Sequence, residues 1–154
     1  MLPDSVQLLD EDERRKHATV LMIIAAADGE LVREEISAIE SCMGLMLIHP
    51  NVREDIRQCL TSPPELSEVI SEMETATIRL ALRDGAIVAA ADGDYDEKEL
   101  NILRMLAKSC GIDDERLKRL LDWVNDLWYL CANGREIIAS PMLGDDKLIG
   151  TEKR

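Results

Sequence analysis

Apolar residues recur at three- and four-residue spacing along most of this chain, the period of helices that bury one face. The first stretch begins behind Asp12, which can cap a helix running to about Asp28 with Leu21, Ile24 and Ala25 on its apolar stripe. That stripe continues at i+7 onto Asp28 itself, and Gly29 supplies the left-handed residue that commonly stops a helix. After the link 30–32, a second helix is predicted to about Met46, with Ile36, Ile39 and Met43 on one face. His49-Pro50-Asn51 breaks the pattern, and His49 reads as a loop residue. A short helix near 52–60 turns Val52, Ile56, Cys59 and Leu60 inward. Thr61-Ser62-Pro63-Pro64 is a turn, with Pro64 suited to a first helical position, and a brief helix over 65–71 follows.

The next long stretch, about Glu74–Asp92, carries Ile78, Ala81, Leu82, Gly85, Val88 and Ala89. Asp96 and Glu99 have capping-box spacing for a helix over about 97–110, which Gly111 ends. Asp113 or Asp114 then caps the longest helix, with Leu117, Leu120, Leu121, Val124, Leu127, Trp128 and Cys131 in its stripe. Asn133-Gly134 is a stop signal, 135–139 a short segment that packs back, and 141–154 a tail without a sustained stripe. Residues 1–11 read as a weakly ordered N-terminus. The expected fold is all-α: one domain over 12–140, a compact bundle of about seven helices.

The bundle contains an internal repeat. Ala-Ala-Ala-Asp-Gly occurs at Ala25–Gly29 and again at Ala89–Gly93, and a Glu stands six residues beyond each Gly. Asp28 and Glu35 therefore align with Asp92 and Glu99, sixty-four positions apart. A pseudo-two-fold pair of helical hairpins fits two copies better than a solenoid does.

Helix capping explains much of the motif, but an Asp at a helix C-terminus faces the negative end of the helix dipole, at a cost of about 0.3–1 kcal/mol. Both copies accept it. The first copy also has Val32 where the second has the capping Asp96, so no Asp, Ser or Thr stands at the capping position before Glu35, which still keeps register. Two readings stay open: corners that only shape the hairpins, or carboxylates gathered around a cation. Asp28, Glu35, Asp92, Asp94 and Glu99 are the candidate ligands, and oxygen donors of this kind suit a divalent ion of calcium or magnesium type. An EF-hand is excluded, since Asp92 to Glu99 spans eight residues where that loop needs about twelve.

Charge and composition narrow the function. The 154 residues include 31 acidic against 18 basic, a net −13, which repels nucleic acid and favours partners with basic surfaces. Four cysteines show no metal spacing and read as small hydrophobes. The start of the chain has no basic n-region, and the longest uncharged apolar run, 18–27, is half a membrane span, so a cytoplasmic protein without direct membrane insertion is expected. Glu13 and His17 lie one turn apart without the paired motifs of a di-iron bundle. No nucleophile elbow, phosphate loop or Cys–His pair is present, so the expectation is no enzyme. Asp84 interrupts an apolar helix, either as a buried hydrogen-bond partner or as a proton-transfer group, and Trp123 and Trp128 cannot both face one narrow stripe.

The paired motifs Ala27-Asp28-Gly29…Glu35 and Ala91-Asp92-Gly93…Glu99 resemble those of the tellurite-resistance TerB-like family, over about 15–130. The same helical domain occurs beside a membrane anchor in some DnaJ-type co-chaperones. The resemblance implies a bundle of about seven helices and no established enzymatic activity. It also implies a divalent-metal site at Asp28, Glu35, Asp92 and Glu99, a role in tellurite or metal stress response, and protein partners in membrane-associated complexes. Val32 departs from the small polar residue usual at that place.

Overall fold

The computed structural model describes residues 4, 8–27, 29, 33–91 and 95–139. Among them are seven helices: α1 Glu11–Ala25, α2 Arg33–Leu45, α3 Pro50–Gln58, α4 Leu66–Ser71, α5 Thr75–Ala89, α6 Glu97–Ser109 and α7 Asp114–Ile137. No strand occurs among the described residues. The all-α bundle is as the periodicity predicts.

The repeat governs the backbone. Displacing α1 by sixty-four positions gives α5, and the same shift carries α2 onto α6 and the start of α3 onto that of α7. Local hydrogen bonds repeat as well. The Ala26 N–H donates to Met22 and the Ala27 N–H to Ile24, as Ala90 donates to Ala86 and Ala91 to Val88. Both helices therefore end about three residues before the predicted Asp, which puts Ala26 and Ala90 at the C-caps.

The ends of α2 and α6 match too. Ile48 N–H reaches back to Met43 O and Leu47 N–H to Gly44 O; Ile112 reaches Ala107 O and Gly111 reaches Lys108 O. Both are Schellman closures, which place one residue in the left-handed region. In the second copy that residue is Gly111, φ +72°; in the first it is Leu47, φ +53°. An arginine from the preceding helix of each unit completes the closure: Arg14 Nη1 donates to Met46 O at 2.9 Å and Arg79 Nη2 to Cys110 O at 3.0 Å.

Helices α1 and α5 form the centre. Val20, Ile23 and Ile24 of α1 join Ile78, Leu82, Leu103, Leu106 and Val124 in one apolar cluster, while Ala18, Leu21, Met22 and Ala25 join Ile39, Met43, Met46 and Ile56 in the other. A helix covered on two sides must be apolar nearly all round, which explains the uncharged run at 18–27. Gly85 lets α1 and α5 approach: a Cβ there would overlap Ile24 Cδ1.

Several sequence expectations need correction. Asp10, not Asp12, caps α1, because its carboxylate accepts the Glu13 N–H at 2.9 Å. Glu65 occupies the N-cap position of α4, leaving Pro64 outside the helix. His49 is not idle in its loop: Nδ1 accepts the Asn51 N–H and caps α3. Ile36 is exposed, as are Trp128 and Cys131, since the buried stripe of α7 ends near Leu127. Asn133-Gly134 does not stop α7, which absorbs the predicted segment 135–139 as far as Ile137. Asp113 is its cap, accepting the Arg116 N–H. The tail 141–154 lies outside the described residues.

Candidate functional site

Of the five predicted ligands, Asp28, Asp92 and Asp94 lie outside the described residues. Glu35 and Glu99 are placed, each in the first turn of its helix, and only 5% and 4% exposed. Glu99 closes a capping box: its Oε2 accepts the Asp96 N–H at 3.0 Å, while Asp96 Oδ1 accepts the Lys98 N–H at 2.8 Å. Beside it, Tyr95 donates to Ala86 O, and burial together with the Glu99 charge pushes its phenol up to about 12. Among the described residues no group of three His, Cys, Asp or Glu is arranged to hold a metal.

A second polar constellation lies between the two central helices. His17 and Asp84 are both fully buried, and His17 Nε2 is 3.0 Å from Asp84 Oδ2. Arg83 Nε donates to Asp84 Oδ1 at 2.9 Å and its terminal nitrogens grip Asp4 at 2.8 and 2.9 Å. Burial alone would raise the Asp84 carboxyl; the His17 hydrogen bond and the Arg83 guanidinium outweigh it and hold the group below its ordinary value. His17 Nδ1 finds no partner among the described residues. Asp84 is thus the buried hydrogen-bond partner that its position on an apolar face suggested. Sequence reasoning missed His17 as its mate, because periodicity reports a residue's face and not what meets it from another helix.

Glu13 plays a related part. Its Oε2 accepts the Glu74 N–H at 3.1 Å, and Oε1 accepts from Lys16 Nζ at 2.9 Å. The start of α5 has no capping side chain of its own, so a carboxylate from α1 supplies the cap. Burial pushes the Glu13 carboxyl up, yet the buried Thr77 hydroxyl facing it (short of full hydrogen-bond geometry), Lys16 and the Glu74 amide together leave it lowered. Most polar atoms of both constellations are held by protein partners, the exceptions among the described residues being His17 Nδ1 and the Thr77 hydroxyl.

The open surface is elsewhere. A cavity of about 310 Å³ lies where the N-terminal half of α1 meets the α2–α3 corner, lined by Glu11, Asp12, Arg14, Arg15, Val52 and the run 46–49. Another of about 300 Å³, between α1 and α4, shares Asp12 and Arg15. Arg14 is committed to Met46 O, whereas Arg15 makes no ion pair with a described residue. Leu47 stands at the first cavity 73% exposed, in a backbone conformation that costs a leucine about 1–2 kcal/mol. The sequence signal for this was the alignment of Leu47 with Gly111 under the sixty-four-residue shift.

Of the four cysteines only Cys131 is exposed. Cys42 and Cys110 are buried, Cys59 partly so, and burial with the nearby Asp84 charge pushes the Cys42 thiol up to about 12. No described helix is long and apolar enough to cross a membrane.

No family model matches the chain, and no solved structure does. The chain is similar to two proteins named co-chaperone protein DjlA from Vibrio vulnificus. One, from strain CMCP6, is 28% identical over 108 residues; the other, from strain YJ016, is 27% identical over 108 residues. Each match covers 64% of this chain and 38% of the relative, so the chain spans well under half the length of the curated proteins it resembles.

Proposed function

We propose that this chain is a non-catalytic helical interaction domain that docks an apolar segment of a partner protein in the cavity beside Leu47. The carrying observation is Leu47 itself. The backbone repeats the same closure with Gly111, so the fold does not need a leucine there, yet one is held exposed in the left-handed region. Backbone strain kept at a surface cavity is a mark of binding sites. Arg15 supplies hydrogen-bond donors for the docked segment, and the −13 charge favours partners whose surrounding surface is basic. The similarity to proteins named co-chaperones supports protein partners for this module too.

Covering Leu47 is worth about 1.5 kcal/mol, roughly tenfold in affinity. A peptide array probed with wild type and Leu47→Gly tests the reading. Apolar peptides should bind wild type and lose about tenfold on the variant, while Arg15→Gln weakens the same set. Equal binding by all three proteins would refute it.

A second proposal keeps the divalent-cation site over Asp28, Glu35, Asp92, Asp94 and Glu99, with the tellurite or metal stress role that the TerB-like resemblance carries. It is supported by the matched register of the two motifs and by the burial of both glutamates. An ion at about a hundred times its Kd stabilises the fold by about 2.7 kcal/mol. Thermal-shift titration with calcium, magnesium, manganese and zinc should then raise the melting temperature of wild type but not of Asp92→Asn; no rise at millimolar ion refutes the site.

A further inference from the structure

Helix α7 outruns the bundle it packs on. Leu117 and Val124 are its buried residues, with Leu120, Leu121 and Leu127 packed at the cluster edge; beyond Val124 none of its residues is buried. The apolar stripe does not stop there. Trp123, Leu127, Leu130, Cys131, Gly134, Ile137 and Ile138 fall on one face at i, i+4, i+7, i+8, i+11, i+14 and i+15. Leu130 is 67% exposed, Ile137 84% and Ile138 72%.

Three observations say what covers this face. First, an isolated helical extension of three turns is not stable in water, least of all with Asn133 and Gly134 in its interior, and no described residue packs on this face beyond Leu127 to support it. Second, a Cβ at Gly134 would meet nothing within 4 Å, which leaves room at that point for another helix to approach closely. Third, from Leu127 to Ile138 the only charges are Arg135 and Glu136, a neutral window in a chain of net −13. Two strongly acidic copies repel each other over most of their surfaces. This window is where they can meet without bringing like charges together.

We infer that the C-terminal half of α7 is a self-association surface, on which a second copy of this chain packs its own α7 about a two-fold axis near Leu130 and Cys131. Laid together, the two stripes and their flanks bury on the order of 1,000 Å² in total, the low end for a specific interface, so the dimer is weak and concentration-dependent. The surface lies on a different helix from the Leu47 cavity, and the two can fail independently.

Sedimentation velocity of the full chain over a wide concentration range tests the inference, with Leu130→Glu/Ile137→Glu as the disrupting variant. Both positions are exposed, so the variant should keep the far-UV spectrum and melting temperature of wild type. Wild type should shift from monomer to dimer as concentration rises, and the variant should associate at least ~100-fold more weakly. In a Cys59→Ser background, a short bismaleimide should join two chains through Cys131, the only exposed cysteine among the described residues, and Cys131→Ser should abolish the product. A chain that stays monomeric at all concentrations and gives no cross-link, as when its own residues 140–154 cover the stripe, overturns the inference. So does a dimer that the double variant leaves intact.

Discussion

Asp84→Asn is the sharpest probe of how the two halves are joined. The substitution keeps size and one acceptor oxygen but removes the charge that faces His17 and Arg83. Asp84 is fully buried and accepts from His17 at 3.0 Å and from Arg83 at 2.9 Å, so both donors lose a charged acceptor, and His17 loses it in a fully buried setting. A hydrogen bond to a charged group contributes about 1.5–3 kcal/mol, and stripping one partner from a buried ion pair costs about 3–5 kcal/mol. Asp84→Asn, which retains an acceptor, should therefore cost about 2–3 kcal/mol and Asp84→Ala about 3–5 kcal/mol. Urea unfolding at neutral pH reads this as a lower midpoint at unchanged slope.

The acid limb gives an independent readout. The folded Asp84 carboxyl lies below its ordinary value of 3.8, so its contribution is fully present above that value and is lost as pH falls through the lowered folded pKa. The part of the gap between wild type and Asp84→Asn that comes from the Asp84 carboxyl should narrow as pH falls below about 4. An Asp84→Asn protein within about 0.5 kcal/mol of wild type at pH 7 would mean the network contributes no more than a surface substitution, and the reasoning would fail.

The remaining predictions concern the repeat and its departures. Gly111→Ala meets empty space at φ +72°, so its cost is conformational, about 1 kcal/mol, or 2–4 °C by calorimetry. Leu47→Gly should move the other way by a smaller amount, because the covered part of the side chain is lost as strain is relieved. Gly85→Ala drives a Cβ into fully buried Ile24; overpacking of about 1–3 kcal/mol exceeds the helix-propensity gain of about 1 kcal/mol, and Ile24→Val should recover part of the loss in a double-mutant cycle. Glu13→Gln weakens the borrowed cap of α5 by about 1 kcal/mol, read as faster amide exchange at Glu74 and Thr75 and a smaller loss of stability on acidification, since the lowered Glu13 carboxyl contributes only above its folded pKa.

The helix order was legible because each helix buries a stripe at its own period, and the repeat was legible because both copies keep one spelling at one offset. What the pattern could not reach was set across the core. The Asp12 expectation failed because Asp10 and Asp12 have equal capping chemistry, and only the path of the incoming chain chooses between them. Glu13 was weighed only with His17, one turn away, against a di-iron motif, since nothing local shows that α5 starts opposite it. Asn133-Gly134 read as a stop on local propensity, and the helix passes through. Of the corners, Glu99 was correctly read as a capping partner; Glu35 was legible as a residue kept in register and is buried, while Asp28, Asp92 and Asp94 lie outside the described residues.

A duplicated backbone also supplies its own control, because a residue required by the fold alone should serve equally in both copies. Val20 and Leu21 of α1 align with Asp84 and Gly85 of α5, and each difference has a structural use: the Asp ties His17 across the interface and the Gly makes room for Ile24. Leu47 against Gly111 is different in kind. The closure and the isoleucine that follows are the same in both units, and an arginine of the preceding helix completes each, although Arg14 and Arg79 stand one position out of register; yet only the first accepts strain and exposes a leucine beside a cavity. Packing within the chain gains little from a side chain that is three-quarters in solvent. A departure that costs the fold and returns little to it is what a contact with another molecule would explain, and it supports the proposal of a docking surface in the first repeat and not the second.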